Sequence, residues 1–185
     1  MDELIDIVTE SGEPTGRSAL KSEAHQNGWF HNTVHVWFYN DKGEVLLSQR
    51  AASKVIHPML WDVSVAGHID AGEAIRTAAI REAHEETSLY IAEEDLQPIG
   101  IFKHQTVYNG GDIKDYEFHH SFILKISSKA EELTPQEGEV EGFKFVSAEE
   151  FLDLLKNSEH NSHFIASNAT YYEFVLESIQ NAIKK

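Results

Sequence analysis

The stretch Gly67-His-Ile-Asp-Ala-Gly-Glu73, continued seven residues later by Arg81-Glu-Ala-His-Glu-Glu-Thr-Ser-Leu89, decides the fold of this chain. It places Glu82, Glu85 and Glu86 at i, i+3 and i+4, a spacing that puts side chains on one side of a helix. At 3.6 residues per turn the three carboxylates fall within an arc of roughly 100°. Ala79, Ile80, Ala83 and Thr87 occupy a neighbouring arc suited to packing on a core. Three like charges held together repel one another unless a cation sits among them. Hard divalent ions such as Mg2+ favour oxygen ligands of this kind and share them with substrate phosphates.

A bare Arg-Glu-x-x-Glu-Glu is also an ordinary solvated helical face, and Arg81 can pair with Glu85 at i+4 for a few tenths of a kcal/mol. The preceding segment separates the two readings. Trp61-Asp-Val-Ser-Val-Ala66 reads as a buried strand, and Gly-His-Ile-Asp-Ala-Gly follows it as a loop freed by its glycines. Strand, glycine loop and acidic helix form one unit, and that unit points to metal-assisted chemistry on a diphosphate.

These residues resemble the Nudix box, Gly-x5-Glu-x7-Arg-Glu-aliphatic-x-Glu-Glu-x-Gly-aliphatic. Gly67, Glu73, Arg81, Glu82, Ala83, Glu85, Glu86 and Leu89 match it, and Ser88 stands where the pattern has glycine. That glycine falls at a helix end, where a left-handed backbone is often needed, so Ser88 bears on the cap and not on the ligands. The resemblance implies an α/β fold, a Nudix α/β/α sandwich with a mixed β-sheet. It implies Mg2+ or Mn2+ held by Glu82, Glu85 and Glu86, with the Gly67 backbone free to approach the metal. It also implies that Glu73 and Arg81 pair to steady the loop against the helix.

Working outward, residues 4–9 suggest a short strand ended by the turn-rich stretch Glu10 to Gly16. His31 to Tyr39 and Glu44 to Arg50, joined by Asp41-Lys-Gly43, read as a β-hairpin. The box helix is expected over about 74–88. Further strands are expected near 96–106, 117–126 and 140–147. Ser147 with Glu150 begins a helix in a capping-box pattern, and a last amphipathic helix runs over about 169–183. Trp37 and Trp61 are expected in the core. Neither repeat nor linker interrupts the pattern, so residues 1–185 are expected to form a single Nudix domain.

Composition limits the partners. The 185 residues are 41% hydrophobic and 25% charged, and 31 acidic against 15 basic residues give a net charge of −16. Such a field repels polyanions, so no nucleic acid polymer is expected as a partner. A small-molecule diphosphate is not excluded, because a metal ion and a few local cations reverse the potential. No apolar run suits a bilayer, and the start lacks a basic signal region, so no membrane partner is expected. The absence of cysteine fits a cytoplasmic location and removes thiolate sites. The oligomeric state is open, with a homodimer among the possibilities.

A second resemblance, to type 1 isopentenyl-diphosphate isomerase and its hydrolase relatives, covers most of residues 5–155. It is carried by Glu13-Pro-Thr-Gly16, Ala24-His25, His31, Leu46-Leu-Ser-Gln-Arg-Ala-Ala-Ser-Lys54, His57-Pro58 and Trp61. In those isomerases two histidines before the first long strand, one after the box glycine, and two acids spaced two apart build a metal site. The matching positions are His25, His31, His68, Asp115 and Glu117, with His25 to His31 one residue shorter than the isomerase spacing. Imidazole with carboxylate suits Mn, Fe or Zn better than Mg. His119 and His120 alternate faces, so at most one of them serves a given site. The isomerases also place a cysteine before the box glycine as a proton-transfer group. Ala66 stands there, and alanine carries no proton.

The resulting expectation is a metal-dependent hydrolase cleaving a diphosphate linkage in a small phosphorylated metabolite such as a nucleoside diphosphate derivative. An isomerase-like enzyme and a non-catalytic Nudix-fold binding module are the alternatives. Glu82, Glu86 and Glu117 are the expected catalytic residues, with Glu139 a further candidate base. Glu82, Glu85, Glu86, Gly67 and His68 are the expected metal site. Arg50 and Lys54 are expected to meet phosphate oxygens, and segments 103–116 and 157–168 to line the pocket.

Overall fold

Residues 31–39 alternate so that both faces of one strand are buried, and the architecture grows from that strand. The computed structural model describes residues 2–184. The central strand is β3 (His31–Tyr39), after β1 (Leu4–Val8), β2 (Pro14–Leu20) and α1 (Lys21–Asn27). There follow β4 (Val45–Arg50), β5 (Trp61–Asp62), β6 (Val65–His68), α2 (Ile75–Thr87), β7 (Gln97–Tyr108) and β8 (Ile113–Lys125). The chain ends with β9 (Val140–Val146), α3 (Ala148–Lys156) and α4 (Ala169–Ile183).

β3 runs parallel to β8, from His31 opposite Glu117 to Tyr39 opposite Lys125, and antiparallel to β6, with Thr33 opposite His68 and His35 opposite Ala66. β7 extends the sheet antiparallel to β8, and β1 joins the other end of β3 at Ile7 opposite His31. A second group forms around β4, paired with β9 and β5. The sheet is therefore mixed.

Even-numbered residues of β3 (Val34, Val36, Phe38) pack with Ala78, Ala79 and Ala83 of α2. Odd-numbered Trp37 and Tyr39 pack with Phe151 and Leu155 of α3 and with Tyr171, Tyr172, Val175 and Ile179 of α4. Helices thus cover both sheet faces, as the sandwich expectation requires. Alanine on α2 lets that helix sit close to the sheet. Burying each large side chain of the other layer contributes about 1.5–3 kcal/mol.

Three local readings need correction. The expected hairpin of 31–39 with 44–50 meets only at Tyr39 opposite Val45; β4 then departs to pair with β9, because its apolar residues complete a different part of the core. The strand expected over 61–66 is two strands, with Val63 and Ser64 between them. The Ser64 hydroxyl donates to the Leu46 carbonyl (2.6 Å) and accepts from the Phe38 amide (2.8 Å), which ties the two sheet regions together. Finally, β2 begins inside the stretch expected as turn, and α1 falls where no element is expected. α1 is a seven-residue helix closed by Gly28 at φ 69°, a length too short for its periodicity to stand out.

Candidate metal centre and active site

The odd-numbered face of β3 is apolar from Trp37 onward and polar from His31 to His35. The same division runs along β8, where Asp115, Glu117, His119 and Ser121 precede Ile123 on one face. The pairing register brings Glu117 opposite His31 on one side and His104 on the other. Half of the α4 layer is therefore an oily core, and the other half is a polar basin bordered by α1, which supplies His25.

Histidines from three elements converge there. Nε2 atoms of His31, His68 and His25 lie 3.4, 3.5 and 4.0 Å from Glu117 Oε1. All three nitrogens are buried and meet no hydrogen-bond partner. One ligand atom from each of these four residues fits within a group no wider than 4.8 Å. Buried polar atoms without partners are costly, and this convergence of imidazole and carboxylate donors fits a divalent transition ion. Nδ1 of His31 faces the Trp29 carbonyl at 3.0 Å, which assigns a proton to Nδ1 and aims Nε2 inward at Glu117. Asp115 stands at the edge, Oδ1 3.8 Å from His25 Nε2 and Oδ2 3.5 Å from His104 Nε2.

The electrostatics follow from this crowding. Burial pushes Glu117 upward, but its contacts to His31 and His68 hold its carboxyl well below the usual range. Burial, with Glu117 as a neighbouring charge, pushes Asp115 up to about 6. His25 is pushed down to about 4 by burial, against the pull of Glu117.

The box helix forms the adjoining wall. Arg81 is bidentate to Glu73 (2.8 and 3.0 Å), and it also reaches Glu82 (2.7 Å) and the His68 carbonyl (2.9 Å). The loop is thereby clamped to α2. The Glu82 carboxylate lies against Gly67, where any Cβ would overlap it. Burial pushes Glu82 up to about 7 despite Arg81, and pushes Glu86 well above the carboxylate range, with Glu82 adding to that effect. Glu86 is 8% exposed, and it accepts one long bond from the Ala66 amide at 3.4 Å. Glu86, buried against a single long amide contact, beside Glu82, which shares Arg81 with Glu73 and Glu85, makes a fitting bed for a cation. Glu85 points outward, 3.5 Å from Arg81, and is the most accessible of the three.

The remaining expected residues are placed less centrally. Arg50 Nε donates to the Ile56 carbonyl at 3.0 Å, and Lys54 is ion-paired with Glu139. That pair lies near enough to Glu86 to act on its charge. Trp37 is fully buried; Trp61 is only partly so, with the Lys144 ammonium 4.5 Å above its ring. His119 faces the basin, its Nδ1 2.8 Å from Thr33 Oγ1, while His120 faces away toward Asn32.

Sequence reasoning passed over His35, His104 and Tyr171. His35 and His104 stack against His119 at 4.0 and 5.3 Å, and Tyr171 Oη closes the basin floor by bonding His35, Trp37 and Ser121. His104 lies in the segment 103–116 expected to line the pocket, and its alternation with Phe102 along a strand names a face without naming its contents.

The fold and the buried box carboxylates define a protein of the Nudix class, and comparison with known proteins agrees. The NUDIX domain family profile matches residues 29–167, and the chain belongs to that family. It is 34% identical over 161 residues to Nudix hydrolase 3 of Arabidopsis thaliana, which covers 85% of this chain but only 21% of that protein's length. It is 31% identical over 158 residues to isopentenyl-diphosphate Delta-isomerase 2 of Photorhabdus laumondii, covering 85% of each. A crystal structure of a Deinococcus radiodurans protein shares the fold at TM-score 0.68 and 20% identity, covering 97% of this chain and 98% of that one. No helix among the described residues is long and apolar enough to cross a membrane.

Proposed function

We propose that this protein is a metal-dependent hydrolase that cleaves a diphosphate linkage in a small phosphorylated metabolite, a nucleoside diphosphate derivative or a similar compound. The observation that carries this reading is the buried Glu86 carboxyl, pushed up by burial and by its neighbour Glu82, whose own carboxylate lies against Gly67 and is paired with Arg81. Mg2+ or Mn2+ bound there supplies charge neutralisation to the diphosphate and acidity to a water molecule. Glu82, Glu85, Glu86, the Gly67 backbone and His68 would hold it. Glu82 or Glu117 would take the proton from the attacking water, with Glu139 as a third candidate. Arg50 and Lys54 meet phosphate oxygens, Lys54 by exchanging its partner Glu139. Glu73 and Arg81 keep loop and helix in register. All of this is proposed to reside in one domain.

A second reading, an isomerase-like enzyme, is favoured by the His25, His31, His68 and Glu117 group and by the similarity to proteins named as isomerases. Against it, Ala66 offers no thiol, and the chain has no cysteine at all. Hydrolysis needs no group at that position.

The test is release of monophosphate from a panel of nucleoside diphosphate derivatives and isopentenyl diphosphate, with Mg2+ or Mn2+ added. Glu85→Gln and Glu86→Gln should each lower turnover at least about 100-fold with unchanged circular dichroism. Full activity in both variants would sink the metal assignment. Conversion of isopentenyl to dimethylallyl diphosphate by the parent would replace the hydrolase reading with the isomerase one.

A further inference from the structure

β1 is fastened to the loop that follows His68. The Leu4 carbonyl accepts from the Ala71 amide (2.8 Å), Ile5 bridges to Asp70, and Asp6 Oδ2 accepts from the Gly72 amide (2.8 Å). These contacts fix Glu3, the residue just before the strand, beside His68. Glu3 Oε2 is 3.4 Å from His68 Nδ1 and 2.9 Å from Lys21 Nζ. The Lys21 amide also donates to the Glu3 carbonyl at 2.8 Å. Lys21 is the first residue of α1, the helix that carries His25. Glu3 therefore stands where the start of β1, the box loop and α1 meet.

The opposite nitrogen of the His68 ring, Nε2, faces Glu117 Oε1 at 3.5 Å and has no hydrogen-bond partner. Glu3 meets Nδ1 at an ion-pair distance of 3.4 Å; a carboxylate there would favour the proton on Nδ1 and leave the lone pair at Nε2, and outer partners of this kind orient and strengthen imidazole ligands. The Trp29 carbonyl does the same for His31. A side chain 42% exposed, held by a lysine and aimed at an imidazole, is more than a surface acid.

We propose that Glu3 is a positioning residue for a transition-metal centre at His25, His31, His68 and Glu117, setting the tautomer and ring orientation of His68. This rests on reading His25, His31, His68 and Glu117 as a divalent transition-ion site, beside the Mg2+ or Mn2+ proposed at the box carboxylates. Glu3 lies outside residues 29–167, which the family profile matches.

Co2+ is the probe, because its visible absorption reports ligand geometry without any assay of turnover. In the parent, Co2+ should give a visible band that His68→Ala abolishes, and proton–nitrogen NMR of the metal-free protein should show His68 protonated at Nδ1. Glu3→Ala should weaken Co2+ binding about 10- to 100-fold and shift the band, with metal-free thermal stability close to the parent's. Glu3→Gln, whose amide oxygen still accepts from Nδ1–H, should recover part of the affinity. If the parent binds no Co2+, or His68→Ala binds it equally well, the metal reading itself fails. If the parent binds through His68 while Glu3→Ala binds as tightly, or if His68 carries its proton on Nε2, the role of Glu3 fails alone.

Discussion

Ser88 holds a left-handed backbone, φ 61° and ψ 14°, and its amide closes α2 on the His84 carbonyl at 2.8 Å. The box glycine is missing here, yet the geometry that glycine serves is kept, at the cost of crowding a Cβ. That conformation costs a non-glycine residue about 1–2 kcal/mol, and glycine's extra chain entropy returns part of it. Ser88→Gly should therefore stabilise the protein by roughly 0.5–1 kcal/mol in urea denaturation, leaving cation affinity unchanged. A destabilised variant would mean that the Ser88 side chain makes a contribution larger than its strain. At this scale the helix end near 88 was legible, because it depends on residues close in sequence. The left-handed cap was not, since serine stands where the pattern has glycine, and the Glu73–Arg81 pairing was implied by the family resemblance.

Among elements, the closest approach is that of β6 and its glycine loop to α2. Gly67 has no side chain, and the Glu82 carboxylate occupies the space a Cβ would take. Gly67→Ala must displace Glu82 from its contact with Arg81, so cation affinity at the box should drop by at least about 10-fold while the sheet persists. Calorimetric titration with Mn2+ checks this, and unchanged affinity would show that Glu82 has room to move. The box helix was readable because its period is local. The partition of β3 and β4 into different sheet regions was not. Asp41-Lys-Gly43 turns the chain as a hairpin would, but the choice of partner after the turn is made by β9, about a hundred residues away. α1 escaped notice for a related reason: seven residues bury only Ala24, and the helix is held by packing on β1, β2 and β8.

Over the whole molecule, the polar basin sets a dependence on pH. His119 is buried and pushed down to about 4 by that burial, from 6.5. Its folded pKa is depressed, so its contribution to stability is full above about 6.5 and is lost as pH falls toward 4. The span corresponds to roughly 3 kcal/mol at 1.36 kcal/mol per unit. With chelator present, the stability gap between parent and His119→Gln should shrink by up to that amount between pH 7 and pH 4. A gap constant with pH would mean that His119 is protonated equally in the folded and unfolded chains.

The sequence by itself determined the strand, glycine loop and acidic helix, the α/β class and the absence of a thiol at position 66. Each of these follows from residue types and spacings over twenty or so neighbours, the range over which periodicity and turn chemistry act. Only the tertiary structure decided that His25 of α1, His31 of β3, His68 of β6 and Glu117 of β8 meet around one point, with Glu3 behind them. The resemblance to isomerases named those histidines and Glu117 but not the distances, and it did not name Glu3. Their meeting depends on strand register, and register is set by burying both faces of β3 at once, a condition that no short stretch of sequence contains.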